Sequence, residues 1–369
     1  VPGSGKEPAV AVALQASPAF EVVGNASQSL KIGEMREGVA VFRVKVKDGA
    51  AAQLGSAPLT FSATLGNKSA KLSTEVSVRP ATPYYTQLTL GSFKGSAEVP
   101  VRRDLFAEHR QVEAAVSPLP LVAANGLSAY LVNFSHSCTE QLVSQAMPGM
   151  VLAKRSEFAP LAGTKPAGKS IDEAVRVLRT RQNAEGGFGL WDASVQPDEF
   201  ASVYAVHWML EARERGEAVP QDMLQDGLAY LAQLTSTPAD SLYAARTRAY
   251  AAYLLTRQGE VTTAVLTRLR QTLDAKYAKQ WHDDLVAVWL AASYQLLKED
   301  SVANSLIAGP AELLVKRGKP FRYENYYDPL VRDAGTLYVL ARHFPTRAKA
   351  LPPEAMVAMM KPFADNQFN

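Results

Sequence analysis

The 369-residue chain is 47% hydrophobic and 20% charged, an ordinary globular profile, and its length suggests two or three domains. Its 39 basic and 36 acidic residues leave a formal charge of +3 without any Lys/Arg block. Nucleic-acid and membrane-surface binding therefore gain no electrostatic support. A single cysteine, Cys138, excludes a disulfide framework and zinc sites built on two or more thiolates. The apolar run from Leu285 to Ala292 is too short to span a bilayer. The N-terminus lacks a basic segment followed by an apolar core, so no signal peptide is expected, and we read the chain as a piece cut from a longer protein.

Residues 1–80 read as short strands. Phe42, Val44 and Val46 alternate with Arg43, Lys45 and Lys47; Leu59, Phe61, Ala63 and Leu65 alternate likewise, as do Leu72, Thr74, Val76 and Val78. Period-two patterning between Gly/Asn/Ser turns predicts an antiparallel sandwich. Arg79-Pro80-Ala81-Thr82-Pro83 reads as a linker. A smaller β set follows over 84–118, at 85–90, 97–101 and 111–116; it is too short for a sound core, and we expect half a domain.

From residue 119 the period becomes helical. Ile171, Ala174, Val175 and Leu178 form an i, i+3, i+4, i+7 stripe, as do Phe200, Val203, Tyr204 and His207, and Leu285, Val288, Trp289 and Ala292. About eleven helical segments are expected, separated by breakers such as Gly216, Gly259, Gly309-Pro310 and Pro352-Pro353. Many short paired helices without a strict repeat predict an α/α toroid rather than a solenoid. The fold class is thus mainly α with an N-terminal β part.

The chemistry concentrates at Ser137-Cys138-Thr139-Glu140-Gln141. A thiol and a carboxamide three residues apart share one side of a helical turn. If the sulfur displaces ammonia from the Gln141 amide, an internal thioester results, a stored acyl electrophile. The plainer alternative is a small buried hydrophobe, the usual fate of a lone cysteine. A helix N-terminus would lower the thiol pKa and favour attack. Water must also be kept out, and Tyr130, Phe134, Met147 and Met150 are candidates for apolar cover, though ordinary core packing explains each of them as well. Glu140 either orients the ring by accepting backbone hydrogen bonds or is a solvated carboxylate.

Three landmarks resemble the alpha-2-macroglobulin and complement family, its bacterial members above all. They are Cys138-Thr139-Glu140-Gln141 with Pro148 ten residues past the cysteine, the turn from Arg181-Gln182-Asn183 through Gly186-Gly187-Phe188 to Trp191, and the helix Phe200–Trp208. The likeness covers the helical region well and the β part by order and size only. It implies a macroglobulin-type sandwich over 1–80, the first segment of a CUB-like domain over 84–118, and a thioester-containing α/α toroid over 119–369, nearly complete. It further implies a broad-spectrum protease trap rather than an enzyme, with no cofactor and no metal. The implied partners are target proteases, captured through lysine amines or other nucleophiles, and a peptidoglycan synthase. The implied setting is periplasmic, with an N-terminal lipid outside this chain tethering the parent to the inner membrane.

Some family members use a histidine roughly a hundred residues downstream to steer the acyl group to hydroxyls. The comparable stretch, Thr235–Tyr243, offers Asp240 and Ser241 instead, which favours direct reaction with amines. His136, two residues before the cysteine, is a candidate base, with a plain loop role as the alternative. His207 and His282 read as core histidines; His109 and His343 show no companions. The rival readings are a terpene cyclase or prenyltransferase relative, a cysteine-nucleophile enzyme, and a non-covalent scaffold with a vestigial thioester. The first lacks a spaced aspartate triple, since Asp283-Asp284 supplies only a pair, and has no cysteine left for a zinc set.

Overall fold

A computed structural model describes residues 7–47, 54–79, 95–100, 134, 136–152, 170–316 and 326–364, with isolated residues between 89 and 131. The chain divides into two compact units, Val1–Gln87 and Leu88–Asn369.

The first unit holds six strands: β1 (Ala9–Ala16), β2 (Phe20–Val23), β3 (Ser27–Lys31), β4 (Arg43–Val46), β5 (Gly55–Leu65) and β6 (Lys68–Val78). All described pairings are antiparallel, in a four-stranded sheet ordered β3-β1-β5-β6 and a two-stranded sheet β2-β4. Leu65 pairs with Lys68 across the two-residue loop Gly66-Asn67, and Gly66 has φ of 56°. Positive φ there matches the twist of the flanking strands. Leu14, Ala19, Phe20, Ala57, Leu59 and Val78 form a small core, and Phe42 meets Phe61 with ring centroids 6.1 Å apart.

Two expectations fail in detail here. The strand expected over Val39–Lys47 is confined to Arg43–Val46, with Val39 and Val41 exposed. The alternation in β6 is real, yet Leu72 and Val76 are exposed, because β6 is an edge strand buried only at Val78. The strands expected over 84–118 fall mostly outside the described residues, and the described ones there lie in no strand.

The second unit is helical: α1 (Thr139–Leu152), α2 (Ile171–Arg181), α3 (Glu199–Glu214), α4 (Gln221–Ser236), α5 (Leu242–Arg257), α6 (Thr263–Lys276), α7 (Leu285–Leu296), α8 (Asp300–Lys316), α9 (Pro329–His343), α10 (Pro345–Lys349) and α11 (Pro353–Ala364), with a 3-10 turn at Trp281–Asp283. Four of the helix starts are capped by side chains in the same way. Ser170, Asp198, Ser241 and Asp328 each accept the backbone N–H three residues on, and Pro329 opens α9.

Packing sorts the helices into two rows. α1, α3, α5, α7 and α9 touch in succession; α2 lies against α1, α4 against α3 and α5, α6 against α5, and α8 against α7 and α9. Sequence explains the assignment. α7 is apolar on every side and is buried from Leu285 through Tyr294. α2 buries only Ala174, Leu178 and Arg181 and turns Asp172, Arg176 and Arg179 outward. A helix apolar all round belongs inside; one with a stripe belongs on the rim. Among the described residues, no helix is long and apolar enough to cross a membrane.

Gly309-Pro310 does not break the chain: α8 runs through it. A Cβ at Gly309 would stand 3.2 Å from Asp283 Oδ1, so the glycine answers to the close passage of the 3-10 turn.

Candidate functional site

Cys138 caps α1: its carbonyl accepts Leu142 N–H at 2.8 Å, and its own N–H donates to Gln141 Oε1 at 3.1 Å. A glutamine reaching back to the cap residue's N–H is half of a capping box. Here it folds the Gln141 carboxamide back onto Cys138, the residue whose sulfur would attack it. The thiol is half-buried.

Burial pushes the Cys138 thiol above the ordinary cysteine range, and the Glu140 carboxylate adds to that. Hydrogen bonds from the Gln141 and Glu140 backbone N–H groups, with the Arg181 charge, pull the other way and lose. The helix N-terminus therefore does not give the net lowering expected from sequence, because desolvation of a thiolate outweighs it.

Thr139, fully buried, fixes the motif to the Arg181–Trp191 turn. Its N–H donates to Leu190 O at 3.0 Å, its hydroxyl donates to Gly189 O at 2.5 Å, and Arg181 Nη1 donates to that hydroxyl at 3.3 Å. The turn itself is held by Gln182, bridged to Phe188, whose Nε2 donates to Gly186 O and Met223 O at 3.0 and 2.9 Å. Asn183 Oδ1 accepts from the N–H groups of Glu185 and Gly187. Gly186 sits at φ of 86°, and any Cβ there would run into the Asp226 carbonyl.

The third landmark joins on the other side. Ser202 Oγ in α3 accepts Phe188 N–H at 2.8 Å, and Tyr204 OH lies 3.3 Å from Ser144 Oγ, which donates to Glu140 Oε1 at 2.8 Å. Glu140 is thus tied to its own helix by Ser144 and half-buried, and burial raises its carboxyl. Three stretches of sequence, separated by up to 70 residues, form one assembly around the first turn of α1.

Other candidates scatter more widely. Phe134 and Met147 are half-buried, Met147 against the helical core; Met150 is buried in it; Tyr130 and His109 lie outside the described residues. Gln145 Nε2 donates to the carbonyls of Phe134 and His136, holding the approach to Cys138. The exposed His136 packs edge-on to Phe134, centroids 5.6 Å apart. Pro148 lies inside α1. Ser241 is the N-cap of α5, and Asp240 is exposed.

His207 is a satisfied core histidine: Nδ1 is 2.5 Å from Tyr250 OH, Nε2 is 2.9 Å from Tyr338 OH, and burial lowers its pKa. His282, by contrast, is exposed, because the 3-10 turn puts Trp281 inward instead. His343 has a companion after all, Tyr253 OH at 2.9 Å from Nε2, supplied by a helix 90 residues away in sequence. Asp284, half of the rival aspartate pair, caps α7 and is ion-paired to Arg246 at 2.7 Å.

Sequence reading assigned no role to Glu211, which is buried and receives Arg257 Nη2 at 2.6 Å, Tyr338 OH at 2.7 Å, Arg342 Nη1 at 3.3 Å, and Arg215. Its only sequence signal is an acid that follows the largely apolar run Phe200–Leu210. From sequence, Arg181 is only the first residue of the turn.

No protein-family model matches the chain. It is 38% identical over 366 residues to an alpha-2-macroglobulin homolog of Yersinia pestis, aligning 99% of this chain with 18% of that protein. A crystal structure of native Escherichia coli alpha-2-macroglobulin, spanning domain MG7 to the C-terminus, aligns with 99% of this chain and 58% of its own, at TM-score 0.55 and 19% identity. Salmonella alpha-2-macroglobulin reacted with methylamine aligns with 98% of this chain and 24% of its own, at TM-score 0.53 and 19% identity. The structural likenesses speak to the fold, and the chain spans about a fifth of the Yersinia relative's length. With the three landmarks assembled as described, the chain belongs to the bacterial alpha-2-macroglobulin family.

Proposed function

We propose that this chain is the thioester-bearing region of a protease-trapping alpha-2-macroglobulin, with Cys138 and Gln141 as the bond's two ends. The observation that carries it is the Gln141 carboxamide folded back onto the Cys138 N–H at the start of α1. In bond formation Cys138 Sγ attacks Gln141 Cδ, the C–N bond breaks, and the amide nitrogen leaves as ammonia with the thiol proton. In use, an amine attacks the same carbon, the C–S bond breaks, and an amide and a free thiol remain. Targets are proteases captured through lysine amines. Amines are favoured over hydroxyls, since Asp240 and Ser241 occupy the stretch where a relaying histidine would be expected.

In this reading the two rows of helices belong to an α/α toroid over 119–369. Residues 1–80 form a macroglobulin-type sandwich, 84–118 begin a CUB-like unit, and the parent works in the periplasm. The test is intact mass and thiol titration of freshly purified parent protein. It should be one ammonia lighter than its sequence mass and show no free thiol at Cys138, and methylamine should expose the thiol. A full mass with a free thiol before any nucleophile is added rejects the reading.

A further inference from the structure

We propose that Arg181 is a positioning residue of the thioester site, a buried clasp that fixes Thr139 to the turn and stations a positive charge beside the first turn of α1. The inference rests on the thioester reading and deepens it. Arg181 ends α2, its side chain only 6% exposed, and two of its nitrogens are committed to different segments. Nη1 donates to Thr139 Oγ1 at 3.3 Å, and Nε donates to Asp192 Oδ1 at 3.1 Å. The Trp191 ring lies 5.9 Å from its guanidinium carbon. Asp192 is itself held by Thr180 Oγ1 at 2.9 Å. One guanidinium therefore ties the residue next to the cysteine to the far end of the turn whose Gly189 and Leu190 carbonyls grip that residue.

A planar fork suits this task because its donors diverge at fixed angles, which a lysine ammonium cannot reproduce. Its location adds a second effect. The charged groups acting on Cys138 are Glu140, which resists thiolate formation, and Arg181, which favours it. His136, two residues before, is exposed. Arg181 is shielded from water, so salt screens its charge poorly. When an amine attacks the thioester, the departing sulfur leaves as a thiolate, and a stabilised thiolate leaves faster. The clasp thus holds the geometry for closing the bond and offsets part of the burial that makes sulfur a poor leaving group.

The test is the pH profile of Cys138 alkylation by iodoacetamide in the full chain after methylamine treatment, which frees the thiol whether or not the bond had formed. Arg181→Met should move the midpoint up by about half to one pH unit, an about three- to tenfold loss of thiolate near neutral pH. Arg181→Lys, which keeps the charge, should stay near the wild-type midpoint. Arg181→Gln, which also removes the charge but keeps a hydrogen-bonding head, should move the midpoint up as Arg181→Met does. If Arg181→Met lowers the melting temperature and leaves the midpoint in place, Arg181 is only a structural residue and the proposal falls. If that variant does not fold, Arg181→Gln decides, and an unmoved midpoint overturns the proposal. Failure of the thioester reading shows separately, as parent protein without the ammonia loss.

Discussion

At Cys138 a capping geometry that should activate a thiol sits in surroundings that quiet it. Backbone N–H groups face the sulfur, yet burial and Glu140 raise the thiol above its ordinary range. Alkylation of the freed thiol should therefore be slower at neutral pH than that of a model cysteine thiol, and should climb only as pH passes above the usual cysteine value. A midpoint below that value would contradict the balance of effects described here. Thr139 gives a second prediction. Thr139→Val removes the hydroxyl that donates to Gly189 O and accepts from Arg181, leaving both partners short in a fully buried place. Unsatisfied buried groups cost about 1–3 kcal/mol, so urea unfolding of the helical unit should show a loss of that size. A loss below about 0.5 kcal/mol would mean the turn repacks freely.

The helices show where sequence reading succeeds and where it stops. α7 was legible from Leu285–Ala292 because an all-apolar run of helical length has few other places to go. Gly309-Pro310 was misread as a break because composition cannot say that a 3-10 turn passes close beside Gly309. The Cys138–Gln141 pair was visible as spacing, but Arg181 and Glu211 were not, since their roles exist only after distant helices meet. Glu211 joins α3 to α5 through Arg257 and to α9 through Tyr338 and Arg342. Glu211→Ala should destabilise the helical unit by about 3–5 kcal/mol, because it leaves buried guanidinium charge with fewer counter-charges.

The same cluster predicts acid sensitivity. His343 is held down to about 4 by burial and by Arg342 and Arg257, and buried His207 is also lowered. Both bind a proton less readily in the fold than in the unfolded chain, so the unfolded chain binds more protons below about pH 6.5, and stability falls as pH drops from there. Glu211, hydrogen-bonded by His207, Tyr338 and Arg215, and Glu214, hydrogen-bonded by Arg257 and Arg342, lie below the usual carboxylate range, and their contribution is lost as pH falls below about 4.3. Urea midpoints measured from about pH 8 to about pH 2.5 should decline in those two windows. His343→Gln should flatten the first, and an unchanged profile in that variant would remove His343 from the account.

At the scale of the molecule, a Cys138–Gln141 thioester of the kind proposed would need water kept from it. The helical unit supplies partial cover: Cys138 and Phe134 are half-buried, while Trp191 beside the site is 52% exposed, Val195 is 84% exposed, and His136 is exposed as well. Aromatic and aliphatic surface of this kind at a reactive centre is suited to being covered by another part of a larger protein. The chain spans only 18% of the length of its Yersinia relative, which leaves ample chain in such a parent to cover the site. A thioester in water is lost to hydrolysis unless water and amines are held off, and a half-exposed sulfur offers them a route. We therefore predict that the 369-residue chain, purified alone, carries a free, partly accessible Cys138 thiol, with Gln141 either still an amide or hydrolysed to the acid. Titration of the native chain with a thiol reagent should give one equivalent before any methylamine is added, and Cys138→Ala should abolish it. A chain that stays unreactive until methylamine releases the thiol would show that the helices of α1 to α3, with the 182–192 turn, shield the bond unaided. The shielding surface would then have to be sought within this chain, beginning with Phe134 and Trp191.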